Sequence, residues 1–359
     1  MEGFGWYTYE TISRMVKAHP EHEFIFFFDR TFDQKFIFAP NVKPVILRPP
    51  ARHPVLFKIW FNYSITRALK RYKADLFFSP DGYLSLKTDI PQIGVIHDLN
   101  FEHYPQDLPS SALKYLRHYF PLFAQKAKHL LTVSEYSKQD IVDTYKINPE
   151  KITVAYNGAS HHFKPVSMVE RHVIMDEFTR GEPYIVFVGA LHPRKNVARL
   201  IEAFDIFKKK SGSSTKLLIV GENLWRSKKL ILPKISSEHD VVFTGHQPIE
   251  RLAKIVASAK FMAFVSYFEG FGIPLVEAMQ AGCPILAGNK TSLPEVAGNA
   301  AVYCDPFQID SIVDGLTVLD SNDQQREDLI ERGFERAKLF SWEFTSQKIW
   351  TVIENELKK

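Results

Sequence analysis

Residues 261–282 read FMAFVSYFEGFGIPLVEAMQAG, and their reading decides the fold. The apolar run Phe261–Val265 has strand length. A loop with two glycines follows. Pro274 then stands at the opening of a helix that runs to Ala281 and stops at Gly282. The glycines let backbone amides approach a ligand closely. The helix start adds N–H groups and the positive end of a dipole, which suits a diphosphate. Glu269 lies in the loop and Glu277 in the first turns of the helix. Carboxylates repel phosphate, so their partners are hydroxyl groups, for which they are strong acceptors. A diphosphate with hydroxyls on both sides describes a nucleotide sugar. The other reading of the same residues is a plain loop and helix with Glu277 on a solvated face.

Working outward, short apolar runs alternate with amphipathic stretches. The pattern predicts strands at Glu23–Phe28, Val45–Leu47, Leu76–Ser79, Ile93–Ile96, His129–Val133 and Ile152–Ala155. Helices are expected at Tyr7–Ala18, Val55–Tyr72, Ala112–Lys126 and Glu135–Tyr145. A second set has strands at Tyr184–Val188, Lys216–Val220, Val241–Phe243, Phe261–Val265, Pro284–Gly288 and Ala300–Cys304. Its helices are Val197–Lys209, one near Ser227–Ile235, Ile249–Ala259 and Pro274–Ala281. Helices Gln325–Leu339 and Trp342–Leu357 close the chain. Strands alternating with helices of ten or more residues imply parallel sheets with crossover helices. The expected fold is therefore α/β, with two doubly wound, Rossmann-like domains facing a cleft. The expected division is 1–165, 166–340 and a final helix at 341–359 that returns to the first domain. The stretch Ser160–Pro183, with scattered apolar residues, reads as the linker.

Composition supports two globular domains. The 359 residues are 45% hydrophobic and 24% charged, beyond the roughly 250–300 residues at which one core stops growing. A net charge of +4 is too small for a nucleic-acid binder built on bulk charge. Two cysteines, Cys283 and Cys304, form neither a disulfide framework nor a metal-ligand spacing. No apolar run approaches the roughly 18 residues of a membrane span. The opening MEGFGWYTYE lacks a basic n-region and an apolar h-region, so a cytoplasmic location is expected.

EGFGIPLVEAM resembles the Glu-x7-Glu signature of glycosyltransferase family 4, the group 1 retaining transferases with the GT-B fold. Further segments resemble the family in its usual order: TVSEYSKQDI (Thr132–Ile141), VAYNGAS (Val154–Ser160), VGALHPRKN (Val188–Asn196), TGHQPIERL (Thr244–Leu252) and SLPEVAGNAAVYCDP (Ser292–Pro306). The wording is most similar to mannosyltransferases of surface-polysaccharide assembly. The resemblance implies that Glu269 holds donor-sugar hydroxyls and Glu277 the ribose hydroxyls. Gly270, Phe271 and Gly272 would present backbone amides to sugar and diphosphate, with Leu275 in the same donor site. It implies that Arg194 and Lys195 grip the diphosphate. As the glycosidic bond breaks, charge builds on the leaving phosphate, and a fixed cation stabilises it without a metal. Many family members carry Arg directly after the first glycine of that loop, whereas Gly189 is followed here by Ala190, so the cationic duty falls on Arg194 and Lys195. His97, ending the strand in VIHDL, corresponds to a position where the family often has a histidine that contacts the donor sugar; its other reading is a buried histidine bonded to backbone. Thr244, Gly245, His246 and Gln247 would lie beside the nucleobase. Ser134, Ser137 and Glu295 match family segments but read equally well as structural.

The resemblance also implies a strand, a Gly-rich loop and a helix at the start of the chain. Gly3-Phe4-Gly5 resembles that loop, and Gly3 and Gly5 are donor-contact candidates on that basis. No strand precedes them in this sequence, so a truncated or misassigned start is expected. Between Gln34 and Ala74 there is no acidic residue and there are nine Lys or Arg. Within 53–73, Val55, Leu56, Ile59, Trp60, Tyr63 and Leu69 form an apolar stripe beside Lys58, Arg67, Lys70 and Arg71. Such a helix suits an anionic membrane surface, and equally a helix packed on its own domain. The expected activity is transfer of a hexose, first mannose, from GDP-mannose or a UDP-hexose to a saccharide or lipid-linked glycan hydroxyl. Anomeric retention is implied, with no metal or other cofactor. The alternatives are a sugar-nucleotide-binding protein without catalysis, and an epimerase or phosphorylase on the same fold. A dinucleotide oxidoreductase built on Gly3-Phe4-Gly5 would need a strand before the glycines.

Overall fold

In the computed structural model, which describes residues 3–51, 53–222 and 233–358, the chain divides into two compact units. One runs up to Asn157 and takes in the residues from Ser341 onward. The other is Gly158–Phe340.

The second unit is built on six parallel strands: β7 (Tyr184–Val188), β8 (Lys216–Val220), β9 (Val241–Gly245), β10 (Phe261–Phe264), β11 (Ile285–Gly288) and β12 (Val302–Cys304), in the order β12-β11-β10-β7-β8-β9. Every residue of YIVFV in β7 and FMAF in β10 is buried, because helices cover both faces of the sheet. Ile185, Phe187, Leu217, Ile219, Phe261 and Leu286 pack against Leu200, Phe204 and Phe207 of the helix Val197–Ser211 and Ile312 and Leu316 of the helix Ile309–Ser321. Strand order reverses between β7 and β10. The carboxyl edge between them is thus the switch point, the place where open α/β sheets form the crevice that binds ligands.

The first unit holds a parallel pair, β1 (Phe24–Phe28) with β2 (Val42–Ile46). It also holds a parallel four-stranded sheet, β3 (Phe77–Ser79), β4 (Gln92–Val95), β5 (His129–Thr132) and β6 (Ile152–Val154), in that order. Phe27 of β1 and Phe77 of β3 pack on the same cluster of Trp60, Phe61, Ile65 and Leu69. The helix Trp342–Leu357 is anchored in this unit. Ser346 Oγ donates to the Thr11 carbonyl at 3.2 Å, and Trp350 stacks on His19 with ring centroids 3.7 Å apart.

Several expectations need correction. Gly3 and Gly5 are not in a loop ahead of a helix. They form the first turn of the helix itself, Gly3–Ala18. The expected linker contains the helix Met168–Thr179, started by a capping box between Ser167 and Glu170. Met168, Val169 and Val173 are exposed, so its apolar residues do not mark one buried face and periodicity does not reveal it. The helix Ile309–Ser321 was not expected, although it lies on the core. The helix expected near Ser227–Ile235 falls largely outside the described residues. The basic stretch forms three successive helical segments, Pro54–Ile59, a π-helical Trp60–Ile65, and Thr66–Arg71. Its apolar stripe is split: Trp60 and Leu69 are buried, while Val55, Ile59 and Tyr63 face solvent. No helix among the described residues is long and apolar enough to cross a membrane.

Candidate functional site

The crevice between β7 and β10 collects the charged residues that the sequence singles out. The loop after β7 turns at Gly189, whose amide bonds the Val220 carbonyl at 3.0 Å. A Cβ on Gly221 would sit 1.9 Å from the Gly189 oxygen, so the two loops approach each other only because that residue is glycine. A short 3₁₀ turn, Pro193–Lys195, then presents the basic pair. His192 caps it: its Nδ1 accepts the Arg194 amide at 3.2 Å. Asn196 follows in the left-handed conformation. Its buried side-chain amide donates to the carbonyls of Val265 at 3.1 Å and Pro306 at 2.6 Å, which ties this turn to the loops after β10 and β12.

From the opposite side, the loop after β10 delivers Glu269. Arg194 Nη1 lies 2.5 Å from Glu269 Oε2, and Lys195 Nζ lies 2.6 Å from Oε1. Arg194 also donates to the Phe268 carbonyl at 3.0 Å, and the Lys195 ammonium sits 4.8 Å from the centre of the Phe264 ring. Glu269 is only 5% exposed. Burial by itself would raise its pKa. The charges of Arg194 and Lys195 outweigh burial and hold the carboxyl down at about 2.

The helix Ile273–Ala281 starts immediately afterwards. Gly272 precedes it at φ +98°, and a Cβ there would meet the Leu293 Cδ2 at 2.8 Å, so no other residue fits without strain. Among the described residues no side chain caps this helix start, which leaves it suited to an anion. Leu275 is fully buried and its amide closes the turn onto the Gly272 carbonyl at 2.9 Å. Phe271 is buried edge-on to Phe340. Glu277, on this helix, has no charged partner among the described residues, and burial pushes its carboxyl up to about 8.

The other candidates are placed separately. After β9, Gln247 Nε2 donates to the Thr244 carbonyl at 3.0 Å and His246 is exposed. In the first unit, His97 Nε2 lies 2.8 Å from the Pro80 carbonyl, which can only accept, so Nε2 carries the proton and Nδ1 is the acceptor nitrogen. Burial lowers the His97 pKa. Phe4 and Tyr7 pack edge-on against its ring at 4.7 and 4.6 Å. Ser134 caps the helix Glu135–Tyr145 by accepting the Ser137 amide at 3.0 Å, a structural use. Sequence reasoning missed His192 and Asn196. Both lie in the quoted segment VGALHPRKN, but their hydrogen-bond partners are distant in sequence. Among the described residues no group of three or more His, Cys, Asp or Glu side chains could hold a metal ion.

Paired cations on a buried carboxylate at the switch point of a parallel sheet, beside a glycine-opened helix start, fit a glycosyltransferase of GT-B fold. Comparison with known proteins agrees. The profile described as Glycosyltransferase Family 4 matches residues 1–163, and that described as Glycosyl transferases group 1 matches residues 174–336. The chain belongs to this family. It is 26% identical over 356 residues to O-antigen chain mannosyltransferase B of Escherichia coli, covering 96% of this chain and 93% of that protein. It is 29% identical over 242 residues to MMP alpha-(1->4)-mannosyltransferase of Mycolicibacterium hassiacum, covering 66% of this chain and 56% of that protein. The structure of WaaG, a glycosyltransferase involved in lipopolysaccharide biosynthesis, superposes with a TM-score of 0.77 at 16% identity, covering 98% of this chain and 96% of that one. Anabaena HepE in complex with UDP-glucose gives 0.76 at 16% identity, covering 96% of both chains.

Proposed function

We propose that this protein transfers a hexose from a nucleotide sugar to a hydroxyl of a saccharide or lipid-linked glycan, with retention of anomeric configuration. One observation carries the reading: Glu269, Arg194 and Lys195 meet in the switch-point crevice beside an uncapped helix start. The helix start and the basic pair suit a diphosphate. As the bond between the anomeric carbon and the phosphate oxygen breaks, Arg194 and Lys195 stabilise the charge left on the phosphate. This supports transfer without a metal. Glu269 accepts hydrogen bonds from sugar hydroxyls, and Glu277 from the ribose. Neither is needed as a nucleophile: the acceptor oxygen attacks from the face the leaving group vacates, and its proton passes to the departing phosphate. His97 as a contact to the donor sugar, Gly3 and Gly5 as donor contacts, and the 244–247 loop beside the base rest on resemblance, and alanine variants of His97 and Gln247 test two of them.

Mannose is the first sugar and GDP the first carrier, supported by the name of the relative that spans nearly the whole chain; HepE, named as a complex with UDP-glucose, keeps a UDP-hexose as the alternative. Synthesis of surface polysaccharide or glycolipid is supported by the name of that same relative, and a place at the inner face of the membrane is part of the proposal. Peripheral membrane contact through 53–73 is supported by Val55 at 58%, Ile59 at 37% and Tyr63 at 60% exposure, spaced four residues apart on a strand of chain without acidic residues. The test is to supply GDP-mannose, UDP-glucose and UDP-galactose with a panel of lipid-linked saccharides and to read the product linkage by NMR. A new α-linkage from an α-configured donor is expected. A β-linkage, or nucleotide-sugar turnover that gives an epimer without transfer, would overturn the proposal.

A further inference from the structure

Two local costs converge on the turn after β11. Thr291 has φ +56°, in the left-handed region. The other non-glycine residues with positive φ among the described ones are Lys73, Lys146, Arg180 and Asn196. Each stands at the end or start of a helix, and none is β-branched. A β-branched side chain in that region is disfavoured, and such strain persists only where the surroundings over-determine it. Ser292, next to it, precedes the helix Leu293–Ala297. A serine there ordinarily accepts an amide of the first helical turn, but Ser292 makes no such cap.

Both hydroxyls are committed elsewhere. Thr291 Oγ1 accepts the Glu269 amide at 3.1 Å. Ser292 Oγ, fully buried, donates to the carbonyls of Glu269 at 2.9 Å and Phe271 at 3.1 Å. The N–H and the C=O of one residue, Glu269, are thus both held by this turn. Those two bonds fix the direction in which its side chain leaves the backbone. That direction carries one carboxylate oxygen to Arg194 and the other to Lys195.

We infer that Thr291 and Ser292 are positioning residues for Glu269: the strained turn and the uncapped helix are retained because they aim its carboxylate at the basic pair. The inference rests on the reading of Glu269 as a donor-site residue. The test is a double-mutant cycle on melting temperature in the full chain, which needs no ligand. Thr291→Val keeps shape and branching but removes the acceptor. If the hydroxyl aims the carboxylate, Thr291→Val lowers the melting temperature of the wild type by about 2 °C or more beyond its effect in a Glu269→Gln background. A purely structural turn loses the same backbone bond in both backgrounds and gives equal shifts, which would overturn the inference. Thr291→Ser restores the wild-type behaviour. Thr291→Gly relieves the left-handed strain and so folds. It is expected to melt no lower than Thr291→Val, yet to lower kcat about tenfold with GDP-mannose or UDP-glucose while KM for the donor holds. Wild-type kcat in Thr291→Gly would also overturn the inference. Failure here is distinct from failure of the site: full transfer by Glu269→Gln removes the reading of Glu269, whereas inactive Glu269→Gln with equal Thr291→Val shifts removes only the role of this turn.

Discussion

Replacing Glu269 with Gln keeps the side chain's shape and removes its charge from between two cations. The carboxyl ordinarily ionises at 4.5 and is held at about 2 in the folded chain. A carboxyl depressed by that amount stabilises the folded state by about 3 kcal/mol at neutral pH. For a domain of 150–250 residues this corresponds to roughly 6–12 °C in melting temperature. The sign follows from the depressed folded-state value. The stabilisation is present in full above the unfolded pKa of 4.5 and is lost as pH falls toward 2. Scanning wild type and Glu269→Gln by circular dichroism from pH 7 to pH 3 should therefore show the wild type melting higher at pH 7, with the gap closing as the solution is acidified below about pH 5. A variant that melts with the wild type at pH 7, or a gap that stays constant down to pH 3, would refute the reasoning that the ion triad dominates this carboxylate.

Glu277 behaves in the opposite sense. Burial raises its carboxyl to about 8, so ionisation costs stability as pH rises from 4.5 through 8. Glu277→Gln should match the wild type below pH 4.5 and melt progressively higher up to about pH 8, read by the same scans, while weakening nucleotide binding. Gly272→Ala should destabilise the second unit by about 2–3 kcal/mol in urea unfolding, since φ +98° and the 2.8 Å approach to Leu293 both oppose a Cβ. Ile59→Asp combined with Tyr63→Asp should abolish flotation with phosphatidylglycerol liposomes while leaving the melting temperature within about 2 °C, because both side chains face solvent. Equal flotation of wild type and variant, or none by either, would remove the membrane contact.

Where a segment is buried on both faces, its sequence is nearly unambiguous. Tyr184–Val188 and Leu217–Val220 are apolar because helices flank the sheet on both sides, and the strands Tyr184–Val188 and Lys216–Val220 match the structure residue for residue. Glu135–Tyr145 and Trp342–Leu357 match as well, each announced by a capping serine at 134 or 341. The helix Met168–Thr179 was illegible because three of its apolar residues face solvent and break the amphipathic pattern. Gly3-Phe4-Gly5 misled for another reason: glycine is weakly placed in helices, yet a helix start tolerates it. At the site, the identities of Glu269, Arg194 and Lys195 were legible, but their direct pairing was not. From residue type alone the carboxylate goes to hydroxyls and the cations to phosphate. That they bind one another, 74 and 75 residues apart, has no local signature in the sequence. Thr291 was invisible for the same reason, since its backbone conformation has no signature in residue type.

The central claim is that the crevice between β7 and β10 takes the diphosphate of a nucleotide sugar on Arg194 and Lys195. Isothermal titration of GDP-mannose and UDP-glucose into the wild-type chain, Arg194→Ala and Lys195→Ala measures it directly. The account predicts saturable binding of one of the two compounds to the wild type, weakened at least tenfold in each variant, the loss of about 1.4 kcal/mol or more expected when a charged hydrogen bond to phosphate is removed. Binding of equal strength to all three proteins, or to none, would contradict it.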